Sequence, residues 1–287
     1  MPRGLFKQLF MASRPVSWVN TAYPFAFTYF VLAQRIDLNL IVGTLFFLIP
    51  YNLLMYGVND VFDYESDLRN PRKGSIEGAI LDKKWHRPTL LWAFLLPLPF
   101  VVYLFVQGNL FANFWLIVFL FAVVAYSAKY LRFKEIPFLD SITSASHFVG
   151  PAVFAIALVD VSLIVDPAIV KAIFAFMLWG MASHAFGAVQ DIKADREGGL
   201  KSIATSLGAA NTTRFAFFCY ALAAVLLLLA GLPYAVAAIA ALPYLLITAP
   251  YLKLRDADCE KANRGWRKFI WLNFFAGWLV TMLPFWF

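Results

Sequence analysis

Runs of about 18 to 22 residues without a charge recur along the whole chain, and at 1.5 Å per residue each run, as a helix, can cross a hydrocarbon layer of ~30 Å. No water is available there to satisfy backbone N–H and C=O groups, so such runs are expected to be helical. Bounded by charge, Gly or Pro, they fall near residues 16–34, 38–58, 89–107, 110–127, 138–159, 168–189, 214–231, 233–252 and 268–287. This predicts an all-α polytopic membrane protein, with nine transmembrane helices in a single bundle around a central cavity. The chain is 14% charged, against about 25% for a soluble domain, which excludes a soluble fold. No long polar linker separates two halves, so residues 1–287 read as a single domain. Pro97, Pro99, Pro151 and Pro243 fall inside spans, where neighbouring helices can satisfy the carbonyls they free.

Charge sets the expected orientation. Of the 24 Lys and Arg residues, 22 lie in the N-terminal tail or in the even-numbered connections, leaving only Arg35 and Lys171 opposite. The positive-inside rule places the basic side in the cytoplasm. The expected location is therefore the cell membrane, with the N-terminus inside and Phe287 outside. A net charge of +7 then needs no nucleic-acid partner, because topology and anionic lipid headgroups account for it. Leu5, Phe6, Leu9 and Phe10 sit at helical spacing beside Arg3 and Lys7, which predicts a short helix on the membrane surface. The tail lacks the pattern of a cleavable signal, so no segment is expected to be removed. Cys219 and Cys259 are expected to lie too far apart for a disulfide.

Two acidic clusters are predicted on the cytoplasmic side. The second span ends in Asn59-Asp60-Val-Phe-Asp63-Tyr-Glu-Ser-Asp67 and the sixth in Gln190-Asp191-Ile-Lys-Ala-Asp195. If helical, Asn59, Asp63 and Asp67 line one stripe, and Asp191 and Asp195 repeat the four-residue spacing. A single such pair reads as a solvated helix end. Two pairs beside apolar spans read as a shared cation site, because charge next to the membrane interior is costly and usually functional. The donors are hard oxygens, with no paired Cys or His, which points to Mg²⁺ or a similar ion and hence to a phosphorylated ligand. Arg69, Arg72, Lys73, Arg132, Lys134, Lys193, Arg196 and Lys201 supply counter-charge around the clusters, although any one of them can equally be an orientation signal. His147 and His184, within spans, are candidate proton acceptors or helix-to-helix hydrogen-bonding groups. Asn20 and Asn52 read as interhelical hydrogen-bonding groups.

These motifs, after spans two and six of nine, resemble the UbiA-type intramembrane prenyltransferase superfamily over essentially the whole chain. The stretches Ser13 to Pro24, Asn59 to Leu81 and Gln190 to Gly199 further resemble its lycopene elongase branch, which makes C50 carotenoids. The resemblance implies that Asn59, Asp63, Asp67, Asp191 and Asp195 hold two Mg²⁺ ions bridging an allylic diphosphate, with the four aspartates as the catalytic set. It also makes Tyr126, Arg132 and Lys134 candidates for diphosphate or carbocation contact, beside Arg72, Lys73, Lys193 and Lys201. The order Asn70-Pro-Arg-Lys-Gly74 departs from the family, in which Arg-Pro often follows the first motif. The implied activity is transfer of a C5 unit from dimethylallyl diphosphate to the ends of lycopene or a related polyene within the bilayer, the resulting cation being quenched by water or proton loss. Alternatives are prenyl transfer to an aromatic or quinone precursor and, from another class, a cation-coupled transporter, which the placement of the acids at one face disfavours.

Overall fold

The computed structural model describes residues 3–68 and 81–287, and every regular element among them is helical. Among the described residues, eight helices or joined helices are long and apolar enough to cross a membrane: Leu38–Phe62, Lys83–Gln107, Leu110–Ser127, Leu139–Val159, Pro167–Val189, Ile203–Ala230, Tyr234–Tyr251 and Asp256–Trp286. The protein is thus a multi-pass membrane protein. The first expected span forms a helix of 16 residues, about 24 Å long and shorter than a ~30 Å hydrocarbon layer. Its length leaves the count of nine unconfirmed.

The chain divides into two compact units, Met1–Phe133 with Gly150–Val161, and Lys134–Val149 with Ser162–Phe287. The first contains α1 (Arg3–Ala12), α2 (Trp18–Ala33), α3 (Leu38–Leu48), α4 (Pro50–Phe62), α5 (Tyr64–Asp67), α6 (His86–Leu95), α7 (Leu98–Gln107), α8 (Leu110–Ser127) and the second half of α9 (Leu139–Val159). In α1, Leu5 and Leu9 turn into the core while Phe6 and Phe10 stay exposed, as a surface helix requires. Pro50 has no N–H to donate and ends α3, which sequence periodicity reads as continuous with α4. The break is stitched by Asn52, whose Nδ2 donates to the carbonyls of Phe47 and Leu48 at 2.9 and 3.0 Å and to Thr21 Oγ1 at 2.6 Å. Asn52 is therefore an interhelical hydrogen-bonding group, whereas Asn20 is exposed. Phe25, Phe47, Tyr51 and Phe154 pack at ring-centroid distances of 5.2 to 6.2 Å and form the centre of this unit.

The second unit holds the first half of α9, then α10 (Pro167–Val189), α11 (Ile192–Glu197), α12 (Ile203–Ala230), α13 (Tyr234–Ala237), α14 (Ala241–Thr248) and α15 (Asn263–Trp286). Helix α12 begins eleven residues before the expected start of its span. The polar run Ser202 to Thr213 is helical because its hydroxyls are absorbed locally. Ser202 and Thr205 form a capping box, and Thr212 and Thr213 donate to the carbonyls of Gly208 and Ala209 at 2.8 Å. Gly208, at φ 75° and ψ 168°, kinks the helix in a conformation that other residues adopt only with strain. The core is again aromatic, with Trp266 stacked on Phe269 at 4.7 Å and Tyr220 on Tyr244 at 5.1 Å. At Gly180 any Cβ would lie 2.8 Å from the Cβ of Ala145, so α10 and α9 approach closely here. Cys219 and Cys259 are both buried and free.

Candidate active site

Both motifs sit where a helix breaks, not along one uninterrupted stripe. Helix α4 stops at Phe62, Asp63 leaves the helical region at φ −101° and ψ 2°, and α5 follows. Helix α10 stops at Val189, and Asp191 precedes α11. The four-residue register survives through backbone hydrogen bonds from Asp63 N to Asn59 O at 2.9 Å and from Asp195 N to Asp191 O at 2.8 Å. At the second break, Gln190 Nε2 caps the freed carbonyl of Gly187 at 2.8 Å.

In the first unit the Asn59 amide is the organising group. Its Nδ2 donates to Asp63 Oδ2 at 2.6 Å and to Ser127 Oγ at 2.9 Å, which ties the end of α4 to the end of α8. Asp63 is buried, and Arg132 Nη2 stands 3.6 Å from its Oδ1. Arg132 reaches it from a left-handed backbone position, φ 43°. The structure thus brings Asn59, Asp63 and Arg132 together, with Tyr126 half-buried next to Ser127. Asp60 has a distinct structural role. Its carboxylate is 2.9 Å from Arg14 Nη2, and the same guanidinium lies 4.2 Å from the Tyr56 ring centroid and 3.5 Å from Asn59 Oδ1. Arg14, at φ 49°, is also left-handed, a strain on the order of 1 kcal/mol that surrounding contacts must hold. Sequence reasoning counted Arg14 only as an orientation charge and did not single out Ser127. Arg72 and Lys73 lie outside the described residues, as does the side chain of Asp67.

In the second unit Asp191 and Asp195 are half-buried at the start of α11. The loop carrying them is fastened to residues 256–263. Asn263 Nδ2 donates to Gln190 Oε1 at 2.5 Å, Lys193 Nζ stands 3.5 Å from Glu260 Oε1, and Arg196 Nη1 donates to Asp256 Oδ2 at 2.7 Å. Arg196 also donates to the Thr205 carbonyl at 2.9 Å. This residue, expected among the phosphate-facing bases, is committed to a structural tie. Lys134 is half-buried and Lys201 exposed.

Deeper in α10, His184 Nε2 lies 3.7 Å from Oδ2 of Asp140, which is fully buried. Asp140 Oδ2 accepts the Ile203 N–H and its Oδ1 the Ser141 N–H, both at 2.6 Å. Nothing local in the sequence pairs residues this far apart. His147 is buried, with 3% of its surface exposed.

Among the described residues, no three His, Cys, Asp or Glu side chains gather into one metal-binding group. Mg²⁺ needs no such group, since it takes one or two carboxylates and completes its shell with water and phosphate oxygens. The hard oxygens of Asn59 and Asp63, with a guanidinium beside them, fit that ion and an anionic partner.

The chain matches the model of the UbiA prenyltransferase family over residues 22–277. The chain belongs to the UbiA prenyltransferase family. As a member, it is a membrane prenyltransferase. Its relatives include the C(50) beta-cyclic carotenoids biosynthesis protein LbtBC of Dietzia sp. (strain CQ4), 53% identical over 99% of this chain, which spans 65% of that protein's length. The lycopene elongase/hydratase of Corynebacterium glutamicum is 49% identical over 96% of this chain and 95% of its own. Among solved structures, a UbiA homolog from Archaeoglobus fulgidus bound to DMAPP and Mg²⁺ aligns with a TM-score of 0.67 at 18% identity, covering 94% of this chain and 98% of that one. At that identity the likeness establishes the UbiA fold.

Proposed function

We propose that this UbiA-family protein transfers the dimethylallyl group of dimethylallyl diphosphate to the ends of lycopene, extending a C40 polyene to C45 and C50. The observation that carries the acceptor is the 49% identity to a lycopene elongase/hydratase across 95% of that protein's length. The whole chain works as one prenyltransferase domain in the cell membrane, with the N-terminus and both motif loops on the cytoplasmic side and Phe287 outside.

Asn59, Asp63 and Asp67 on one motif, and Asp191 and Asp195 on the other, are assigned to hold Mg²⁺, and the four aspartates among them make up the catalytic carboxylate set. Bound Mg²⁺ supplies the positive charge that compensates diphosphate as the allylic C–O bond lengthens. Arg132, beside Asp63, adds charge to the same leaving group. Arg72, Lys73, Tyr126, Lys134, Lys193 and Lys201 are the further candidates for diphosphate contact. Arg14 acts one step back, since its ion pair with Asp60 fixes the last turn of α4 and therefore where Asn59 and Asp63 point. The C–O electron pair leaves with diphosphate, the terminal alkene of lycopene supplies the electrons of the new C–C bond, and a tertiary cation remains. Loss of a proton gives an alkene, and addition of water with loss of a proton gives an alcohol. Aromatic side chains lining the spans suit a site that must shelter a cation from bulk water.

The test is the pigment made when the chain is expressed in a lycopene-producing host, followed by assay of purified enzyme with dimethylallyl diphosphate and lycopene. C45 and then C50 products are expected. Prenylation of 4-hydroxybenzoate with lycopene unchanged would overturn the choice of acceptor.

A further inference from the structure

Whichever way the tertiary cation is quenched, one proton must leave, either from a carbon next to the cation or from the water that adds to it. The residues assigned to the diphosphate are carboxylates and bases that serve charge compensation. We infer that His184 takes this proton and that Asp140 positions it, an inference that rests on the proposed prenyl transfer.

His184 stands five residues before the end of α10 at Val189, about 8 Å along the axis towards the membrane interior from the break that carries Asp191. That is the depth at which an alkene beneath a diphosphate would react. The side chain retains 18% exposure, whereas Asp140 behind it has none. Asp140 is held by the Ser141 and Ile203 N–H groups, so its position against the imidazole is fixed by α9 and α12. At 3.7 Å the contact is of ion-pair range, not hydrogen-bond range. The balance closes: the C–H or O–H electron pair stays with the product as C=C or C–O–H, and the proton passes to the imidazole and then to solvent. His147 is buried where His184 is half-buried, which leaves it less accessible to substrate.

A purely structural His184, tying α10 to α9, makes different predictions. In lipid vesicles with Mg²⁺, dimethylallyl diphosphate and lycopene, H184A and H184Q should lose about 10²- to 10⁴-fold in kcat, the range of general acid–base catalysis, while KM for the diphosphate stays within about threefold. Imidazole added to H184A should restore activity by about tenfold or more. H184Q keeps an N–H aimed at Asp140 but cannot take a proton, so it carries the test if H184A fails to fold. D140N should lower kcat by less than H184Q does and leave KM unchanged. A kcat within about threefold of wild type in H184Q, or a folded H184A that binds diphosphate normally but gains nothing from imidazole, overturns the inference. If wild type prenylates only an aromatic acceptor, the reading of the acceptor fails and His184 does not, because that acceptor also sheds a proton and the same variants are compared on it.

Discussion

Asp256 should be a keystone of the second motif although it carries no charge to the substrate. Its Oδ1 accepts the Ala209 N–H at 2.7 Å, at the first turn after the Gly208 kink, and its Oδ2 accepts from Arg196 at 2.7 Å, one residue after Asp195. In Asp256→Ala the buried Ala209 N–H loses a charged acceptor, worth about 1.5–3 kcal/mol. The Arg196 pair is 45% and 40% exposed, so screening limits it to about 0.2–1 kcal/mol. The sum is about 2–4 kcal/mol, most of it from the capping bond. Unfolding in detergent micelles would measure it, with Arg196→Ala and the double variant completing a cycle whose coupling should be about 0.2–1 kcal/mol. Gly208→Ala provides an internal check, since its Cβ would stand 2.9 Å from Asp256 Oδ1 at a φ of +75°. Its cost should fall in the Asp256→Ala background, where the clash is gone and only the backbone strain remains. Asp256→Ala within about 0.5 kcal/mol of wild type, or Gly208→Ala equally costly in both backgrounds, would refute the reasoning.

Chelation should abolish prenyl transfer and Mg²⁺ restore it, with Asp63→Ala and Asp191→Ala each inactive because either loss leaves diphosphate charge uncompensated; full activity in chelator would sink the metal assignment. Single cysteines at Lys84 and Lys201, both exposed, should label only from the cytoplasmic side and one at Val165 only from outside, while native Cys219 and Cys259 stay protected by burial; the reverse pattern overturns the orientation. Burial raises the Asp37 carboxyl, but the Leu40 N–H, Arg35 and Tyr29 together outweigh it and hold the group below its ordinary value of 3.8. Its stabilising effect is therefore present above that value and lost as pH falls through the lowered one. Asp37→Asn should melt earlier than wild type at neutral pH and converge with it in strong acid; a gap independent of pH would count against this.

The sequence by itself determined that the chain is helical and crosses a membrane, where most spans run, and that two acidic motifs follow two of those spans. Each of these is written in local composition or in a spacing of a few residues. It also contained the resemblance that the family match bears out. What it could not show is how residues distant in the chain divide the work. Arg14 and Arg196 look like any other base between spans, yet one is paired to a buried carboxylate 46 residues away and the other to an acid 60 residues away. Helix periodicity continues through Asp63 and Asp191, but the structure breaks there; at the second break Gln190 turns its own amide back onto the freed Gly187 carbonyl, a bond that periodicity does not encode. The run Ser202 to Thr213 read as polar connection and is helix, since hydroxyls that bond back to the preceding turn can be buried. Asp140 and His184 carry no shared motif. Only the close approach of α9 to α10, permitted by Gly180 against Ala145, brings a carboxylate to a histidine inside the membrane.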